Sequence, residues 1–435
     1  MLSLGGAFEY YDLFVMGYIG PGLVRSGLFT TGSASLFGLN GLATFVASTF
    51  TGLFVGALVL SVTADRFGRR AVFTWALLWY TASTCVMALQ TSTRGVLVWR
   101  ALTGLGLGVE LVTIDTYIAE LMPRRIRGRA FALNQVVQFS AVPLVALVAW
   151  LLVPRSPLGM DGWRWVVLAG SASAVLVWFI RRAVPESPRW LVANGRVAEA
   201  EAVTAAIERR VELDLGTSLP PPAQERGSPA LRAPRSSLVR IFQPPYLART
   251  LMLVVFNFAQ TIGYYGFASW VPTLLIARGI TTTTSLGYSF AIALAAPIGP
   301  ALVMRFADNM DRRLQIVWSA AAIAAFGLLF ATASGAGLVA VGVLLTCSNN
   351  WMSVAFHAYQ SELFPTAIRA RAVGFVYAWS RFSAIFTSLI IGFLLARFGT
   401  AGVFVFIAGA MLVAGGAVGL FGPPTRGLTL EQIAD

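Results

Sequence analysis

The sequence predicts an all-α membrane protein: twelve transmembrane helices in two six-helix bundles related by a pseudo-two-fold axis. Three observations carry this expectation. The 435-residue chain is 57% apolar and only 12% charged, with a mean hydropathy of +0.73, far outside the range of soluble domains. Apolar runs long enough to cross about 30 Å of hydrocarbon fall in two sets of six around a polar stretch. A charged, turn-forming segment between two apolar runs, Ala64-Asp65-Arg66-Phe67-Gly68-Arg69-Arg70, recurs about 243 residues later as Ala307-Asp308-Asn309-Met310-Asp311-Arg312-Arg313. A second pair repeats at nearly the same offset: Glu120-Leu121-Met122-Pro123 with Arg127 and Arg129, and Glu362-Leu363-Phe364-Pro365 with Arg369 and Arg371. Two parallel halves in a membrane chain imply a pathway at their interface.

The first six runs fall roughly at residues 4 to 24, 36 to 62, 71 to 90, 95 to 119, 128 to 152 and 164 to 183. The second six fall near 247 to 276, 284 to 305, 314 to 333, 336 to 360, 371 to 396 and 399 to 421. This divides the chain into a first bundle (1–183), a linker (184–246), a second bundle (247–421) and a tail (422–435). Within the linker, Val197 to Glu212 has the Ala, Glu and Arg content of a short surface helix, whereas Gly216 to Ser237 reads as a flexible Pro- and Ser-rich segment. Met1 to Ala7 lacks a basic n-region and a small-residue cleavage site, so no signal peptide is expected.

A formal charge of +13 would suggest nucleic acid in a soluble chain, but its placement argues otherwise. All basic residues are arginines; roughly 24 lie in the termini and the loops of one side, about 6 in the opposite loops and 2 within helices. By the positive-inside rule both termini are cytoplasmic, in a bacterial-type inner membrane. The expected partners are the lipid bilayer and a small molecule, not nucleic acid, and a monomer is expected because each chain holds both halves. Two cysteines inside apolar runs, Cys85 and Cys347, give neither a disulfide framework nor a thiolate metal site. With one histidine and no nucleophile-base set, neither an enzyme nor a metal centre is expected.

Ionisable groups inside apolar runs mark candidate chemistry, because each costs several kcal/mol unless it faces a partner or a wet cavity. Asp12 lies about 12 Å along the first run, with Glu9 one turn closer to the surface. Desolvation favours the protonated carboxyl, the property that proton coupling needs. The fourth run carries Arg100, glycines at 104, 106 and 108, then Glu110, Asp115 and Glu120; Glu110 is the second candidate proton site, and Asp115 lies in the inner third. A structural salt bridge is the competing role for these carboxylates. Arg381, about 15 Å along the eleventh run from Arg371, is the one cation deep in the second half. It either holds a substrate carboxylate or neutralises Glu110 or Asp12, and the ion-pairing role weighs the more. Candidate substrate contacts are Arg381, Arg100, Tyr11, Gln138, Gln260, Tyr264, Tyr265, Asn349, Asn350 and Trp351, the amides, phenols and indole a small polar substrate needs for orientation. Interhelical hydrogen bonding is the alternative for each polar group. His357, near the charged end of its run, reads as a gate residue before a proton carrier.

These residues resemble the major facilitator superfamily over nearly the whole chain. Asp65-Arg66-Phe67-Gly68-Arg69-Arg70 is similar to that superfamily's loop motif between helices two and three, with Ser61 in place of its leading glycine. Pro185-Glu186-Ser187-Pro188-Arg189-Trp190-Leu191 and Thr425-Arg426-Gly427-Leu428-Thr429-Leu430-Glu431 resemble the segments after helices six and twelve of sugar porters. Phe8-Glu9-Tyr10-Tyr11-Asp12 and Gly108-Val109-Glu110 look more like the metabolite:proton symporters and synaptic-vesicle-protein-like organic-acid transporters. The resemblance implies alternating access between two rocking bundles. Asp65, Arg66, Arg69, Arg70, Glu120, Arg127, Asp308, Arg312, Glu362 and Arg369 are then the expected cytoplasmic gate: Asp65 at a helix N-terminus or beside arginines, and the Glu and Arg residues pairing across the cytoplasmic ends. Asn309 and Asp311 replace the Arg66 and Gly68 of the first loop, which suggests looser packing or a hinge there.

The fifth run has Pro143 but lacks the Gly-Pro-Gly-Gly pattern of drug-proton antiporters, and the seventh only partly matches the Gln-Gln and Asn set of sugar porters. The expected function is therefore proton-coupled import of a small organic acid or related metabolite, with the proton as coupling ion and no other cofactor. A drug or metabolite exporter and a sugar transporter are the alternatives within transport. A non-transporting sensor is the alternative outside it.

Overall fold

The computed structural model describes residues 2–31, 41–60, 67–121, 127–171, 185–219, 238–306, 310–365 and 368–425. It is a helical membrane fold, and seven helices among the described residues are long and apolar enough to cross a bilayer. The first span is Leu2–Tyr18 followed by Gly20–Arg25, and the second is Leu42–Val55 continued by a wider turn over Gly56–Leu60. The third is Arg69–Ala88, the fourth Thr93–Leu121, the fifth Arg127–Phe139 with Ala141–Leu152, and the sixth begins as Gly162–Ser171. Pro188–Ala193 and Val197–Leu215 follow in the linker, the latter almost wholly exposed. The seventh span is Tyr246–Ala268 with Val271–Ala277, the eighth Thr282–Ala293 with Ile298–Phe306, the ninth Arg312–Thr332 and the tenth Gly335–Glu362. The last two spans form one run, Arg369–Phe421, interrupted at Gly399, whose φ of 64° a side chain would disfavour.

Four spans are broken, and proline places the breaks. A proline ring clashes with the carbonyl four residues before it. Pro21, Pro143, Pro272 and Pro297 stand three or four residues beyond the helix ends at Tyr18, Phe139, Ala268 and Ala293. A carbonyl freed inside a membrane protein needs another donor, and at the eighth-span break Asn350 Nδ2 supplies one to the Ala296 carbonyl at 2.8 Å. The breaks of the first and seventh spans meet: a Cβ on Gly17 would lie 2.7 Å from the Ser269 carbonyl oxygen.

Buried apolar side chains form two principal cores, one drawn mainly from the first six spans and one mainly from the last six. The seams between them run along the first and seventh, second and eleventh, and fifth and eighth spans. Trp150 stacks on Phe290 with centroids 5.8 Å apart, Phe54 meets Phe382 at 6.0 Å, and Ala43 abuts Gly392.

Inside the first half, glycines set the crossing of the second and fourth spans. A Cβ on Gly52 would fall 1.9 Å from the Ala101 oxygen, and one on Gly104 would fall 2.3 Å from that of Thr49. Gly56 and Gly108 repeat the contact one turn on, while Gly106 faces Tyr80 and Ala76 of the third span. These small residues let the backbones touch. Gly52→Ala should therefore force the two spans apart at a cost of about 1–3 kcal/mol. The expected result is a thermal midpoint in detergent several degrees below wild type; an unchanged midpoint would show that the crossing tolerates a methyl group.

Candidate functional site

Two adjoining cavities lie between the halves and share Phe14, Phe139 and Tyr264 in their walls. One is lined by Tyr10, Leu13, Phe14 and Phe139 from the first half. Its second-half wall is Gln260, Tyr264, Tyr265, Ser353, Phe356, His357, Tyr377, Ser380 and Arg381. The other is mainly apolar and reaches Ser289, Thr346, Asn349 and Asn350. Helix periodicity explains the lining: residues 10, 13 and 14, residues 353, 356 and 357, and residues 377, 380 and 381 each follow the i, i+3, i+4 spacing of one helix face.

Arg381 dominates the first cavity. Its Nη1 donates to the Tyr265 hydroxyl at 2.9 Å and its Nη2 to the Tyr377 hydroxyl at 3.2 Å, with the guanidinium carbon 4.9 Å from the Tyr377 ring centroid. The residue is 7% exposed. Among the described residues no carboxylate lies within ion-pairing distance of it. The expected pairing with Glu110 or Asp12 is thus corrected: Asp12 is taken by another arginine, and Glu110 meets none among the described residues.

That other arginine is Arg100. Its Nη1 donates to Asp12 Oδ1 at 3.0 Å, its Nη2 to the Asp12 carbonyl at 2.7 Å and its Nε to Thr49 Oγ1 at 2.8 Å. Thr84 donates to Asp12 Oδ2 at 2.9 Å. Each charge in this buried pair is hydrogen-bonded, the condition under which such a pair is tolerated. Glu110 is also fully buried, yet neither of its carboxyl oxygens has a hydrogen-bond partner among the described residues. Glu9 is buried one turn from Asp12, and Asp12 points away from the face of the first span that carries Tyr10, Leu13 and Phe14. The first span therefore carries cavity residues on one face and Asp12 on the other.

At the arginine-rich end, an unanticipated residue holds the third span. Glu186 Oε1 accepts from the backbone N–H groups of Arg69 at 3.0 Å and Arg70 at 3.3 Å, placing a carboxylate at a helix N-terminus. Gly68 makes room with a φ of 95°; a Cβ there would lie 2.5 Å from Glu186 Oε2. In the second half Asp311, at the Gly68 position, caps its own helix through the Arg313 N–H at 2.8 Å and accepts from the Thr425 N–H at 3.2 Å. Asp311 thus clasps the start of the ninth span, the carboxylate coming from the residue before the helix, while Asn309 lies outside the described residues. Arg312 pairs with Glu362 at 2.9 Å within the second half.

Of the predicted substrate contacts, Arg381, Gln260, Tyr264 and Tyr265 line the first cavity, and Asn349 and Asn350 the second. Four do not line either. Tyr11 donates to the Val166 carbonyl at 3.0 Å and packs on Gly170. Arg100 is held by Asp12, and Gln138 packs against Gly6. Trp351 donates to Gln315 at 3.1 Å on the far side of its helix. His357, read as a gate residue, instead lies on the cavity wall, its ring stacked on Phe356 at 4.1 Å. Tyr10, Phe139, Phe356 and Tyr377 were missed; for Tyr377 the available signal was its position four residues before Arg381 on the same helix face. Asp65, Arg66 and Asp308 lie outside the described residues, as do the side chains of Asp115, Glu120, Arg127 and Arg369, whose backbones are helical.

The chain matches the sugar (and other) transporter family over residues 1–435. It is 30% identical over 420 residues to YyaJ of Bacillus subtilis (strain 168), a protein named for metabolite transport, covering 96% of this chain and 90% of the relative. It is 27% identical to the niacin transporter NiaP of Acinetobacter baylyi (strain ATCC 33305 / BD413 / ADP1), covering 100% and 95%. The fold is shared with the partially occluded, inward-open xylose transporter XylE from E. coli, at a TM-score of 0.76, 20% identity and 98% coverage of both chains. With its two helical bundles and intervening cavity, the chain belongs to the sugar (and other) transporter family of the major facilitator superfamily, whose members are multi-pass membrane transporters of sugars and metabolites.

Proposed function

We propose that this transporter imports a small organic acid together with a proton by alternating access. The observation that carries this reading is Arg381, a buried guanidinium in the inter-half cavity with no carboxylate partner among the described residues. Burying a cation without a counter-ion is unfavourable, and an anionic cargo would supply the missing charge. Niacin, the cargo in the name of one relative, is such an acid. The proton role falls to Glu110, a buried carboxyl whose two oxygens have no hydrogen-bond partner among the described residues. Asp12 is its ion-paired neighbour. The first span, with cavity residues on one face and Asp12 on the other, couples the two events. Arginine distribution places the Arg69, Arg312 and Glu362 end in the cytoplasm of a bacterial-type cell. There Glu186 and the Arg312–Glu362 pair act as helix clasps within each half.

The test uses vesicles containing the protein and an interior pH dye, with protein-free vesicles as control. A panel of carboxylates, sugars and cationic drugs is added outside. The expected result is protein-dependent interior acidification with a carboxylate and with none of the others. Uptake of a labelled carboxylate that ignores an imposed pH gradient would overturn the coupling.

A further inference from the structure

Resting on the reading of the chain as an organic-acid carrier, we propose that its cargo is a planar aromatic monocarboxylate. The carboxylate is held by Arg381 with the hydroxyl of Tyr265, and the ring lies against Phe14, Phe139 and Tyr264.

The first argument is the direction of the hydrogen bonds. Arg381 has no acceptor, so in its contacts at 2.9 and 3.2 Å both phenol oxygens accept. The Tyr265 phenol keeps its own O–H proton to donate. The guanidinium and the Tyr265 hydroxyl therefore form a donor cradle, and the ligand that satisfies it is an anion with two acceptor oxygens. A neutral sugar leaves the guanidinium charge uncompensated.

The second argument is charge count. Among the described residues Arg381 is the one lining either cavity that carries a fixed charge. A monoanion matches it. A dicarboxylate would press a second charge against an aromatic and aliphatic wall, at a desolvation cost nothing there offsets.

The third is the wall itself. Tyr10 meets Phe139 edge-on at 5.2 Å, Phe14 meets Tyr264 at 6.5 Å, and Tyr264 meets Tyr265 at 5.0 Å, the edge-to-face geometry that also receives a flat ligand ring. The amide nitrogens that would donate to sugar hydroxyls each already make one hydrogen bond: Gln260 Nε2 donates to Thr261 at 3.1 Å, and Asn350 Nδ2 to the Ala296 carbonyl. Asn349 is the exception. It is 3% exposed, lines the second cavity, and its Oδ1 has no partner among the described residues. An unpaired buried acceptor is costly, so a hydroxyl or amino substituent on the ring has a place waiting there.

The test measures binding to the purified full-length protein by ligand-induced thermal stabilisation, and uptake into vesicles over a protein-free control. The ligands are benzoate, cyclohexanecarboxylate, benzene-1,4-dicarboxylate, benzamide and D-xylose. Benzoate is expected to bind about tenfold more tightly than cyclohexanecarboxylate, from several ring contacts, with no binding by benzamide or xylose and weak binding by the dicarboxylate. Phe139→Leu, which keeps the volume but removes the ring, should bring benzoate and cyclohexanecarboxylate to parity. Tyr265→Phe should weaken both acids about equally. Tighter binding of xylose or the dicarboxylate than of benzoate would overturn the proposal, as would a benzoate preference unchanged in Phe139→Leu. Failure of the parent reading looks different: benzoate binding with uptake indifferent to a pH gradient supports the ligand class and refutes proton coupling. Gradient-driven uptake of an aliphatic acid with no benzoate binding does the reverse.

Discussion

Replacing Arg381 with glutamine is expected to lower carboxylate uptake by roughly a thousandfold, the equivalent of about 4 kcal/mol of lost binding. The magnitude follows from what is removed. The guanidinium supplies charge-assisted hydrogen bonds and also orients the Tyr265 hydroxyl that completes the cradle. Arg381→Lys keeps the charge but loses the planar fork, so it should recover only part of the uptake. A structural cation and a ligand-binding cation separate cleanly in the stability of these variants. Arg100→Gln strands the Asp12 carboxylate, which Arg100 holds at 3.0 Å in a fully buried pair, and should cost about 3–5 kcal/mol. Arg381→Gln strands nothing, since no carboxylate meets Arg381 among the described residues. It should leave the thermal midpoint unchanged or raised, while abolishing the further rise that benzoate produces in the wild type. A midpoint that falls as far in Arg381→Gln as in Arg100→Gln would show that Arg381 braces the fold.

How much of this was legible in the residues depends on the range of the interaction. Span composition, the two-half organisation and the buried ionisable groups follow from local hydropathy and an internal repeat. Those are properties of one segment at a time, and the structure's two cores and central cavity agree with them. Pairing was not legible. Arg100 and Arg381 look alike in sequence, each a lone arginine at depth, and only packing decides that Thr49, Thr84 and Asp12 surround the first while phenols surround the second. Trp351 and Asn350 are neighbours in the chain, yet successive helix residues point about 100° apart. One therefore faces Gln315 and the other the broken eighth span. Glu186 was visible only as part of a family motif; its work at the third span's N-terminus depends on a contact across more than a hundred residues. The proline-placed breaks were readable in principle, since each lies three or four residues before its proline, and they deliver Phe139 and Ala268 to the cavity walls.

Glu110→Gln should abolish accumulation while leaving exchange. A carrier that moves one proton with one monocarboxylate is electroneutral, so a gradient of one pH unit, about 1.4 kcal/mol, supports about tenfold accumulation. Glutamine imitates the protonated acid in shape and charge, and Glu110 is buried with both carboxyl oxygens unpartnered among the described residues. The substitution therefore adds no unpaired charge and should not harm folding. It does fix the site in its neutral form. Cargo inside should still exchange with labelled cargo outside, because the loaded carrier reorients, but the concentration ratio under the gradient should fall to about one. Asp12→Asn tests a different thing. It removes the counter-charge of Arg100, leaves a buried guanidinium held only by Thr49 and by neutral acceptors on the first span, and should lower yield and thermal midpoint before it says anything about protons. If Glu110→Gln still accumulates cargo tenfold, the proton travels elsewhere. The Asp12–Arg100 pair then becomes the site to test, since breaking it on protonation would release the first span, whose opposite face carries Tyr10 and Phe14 into the cavity.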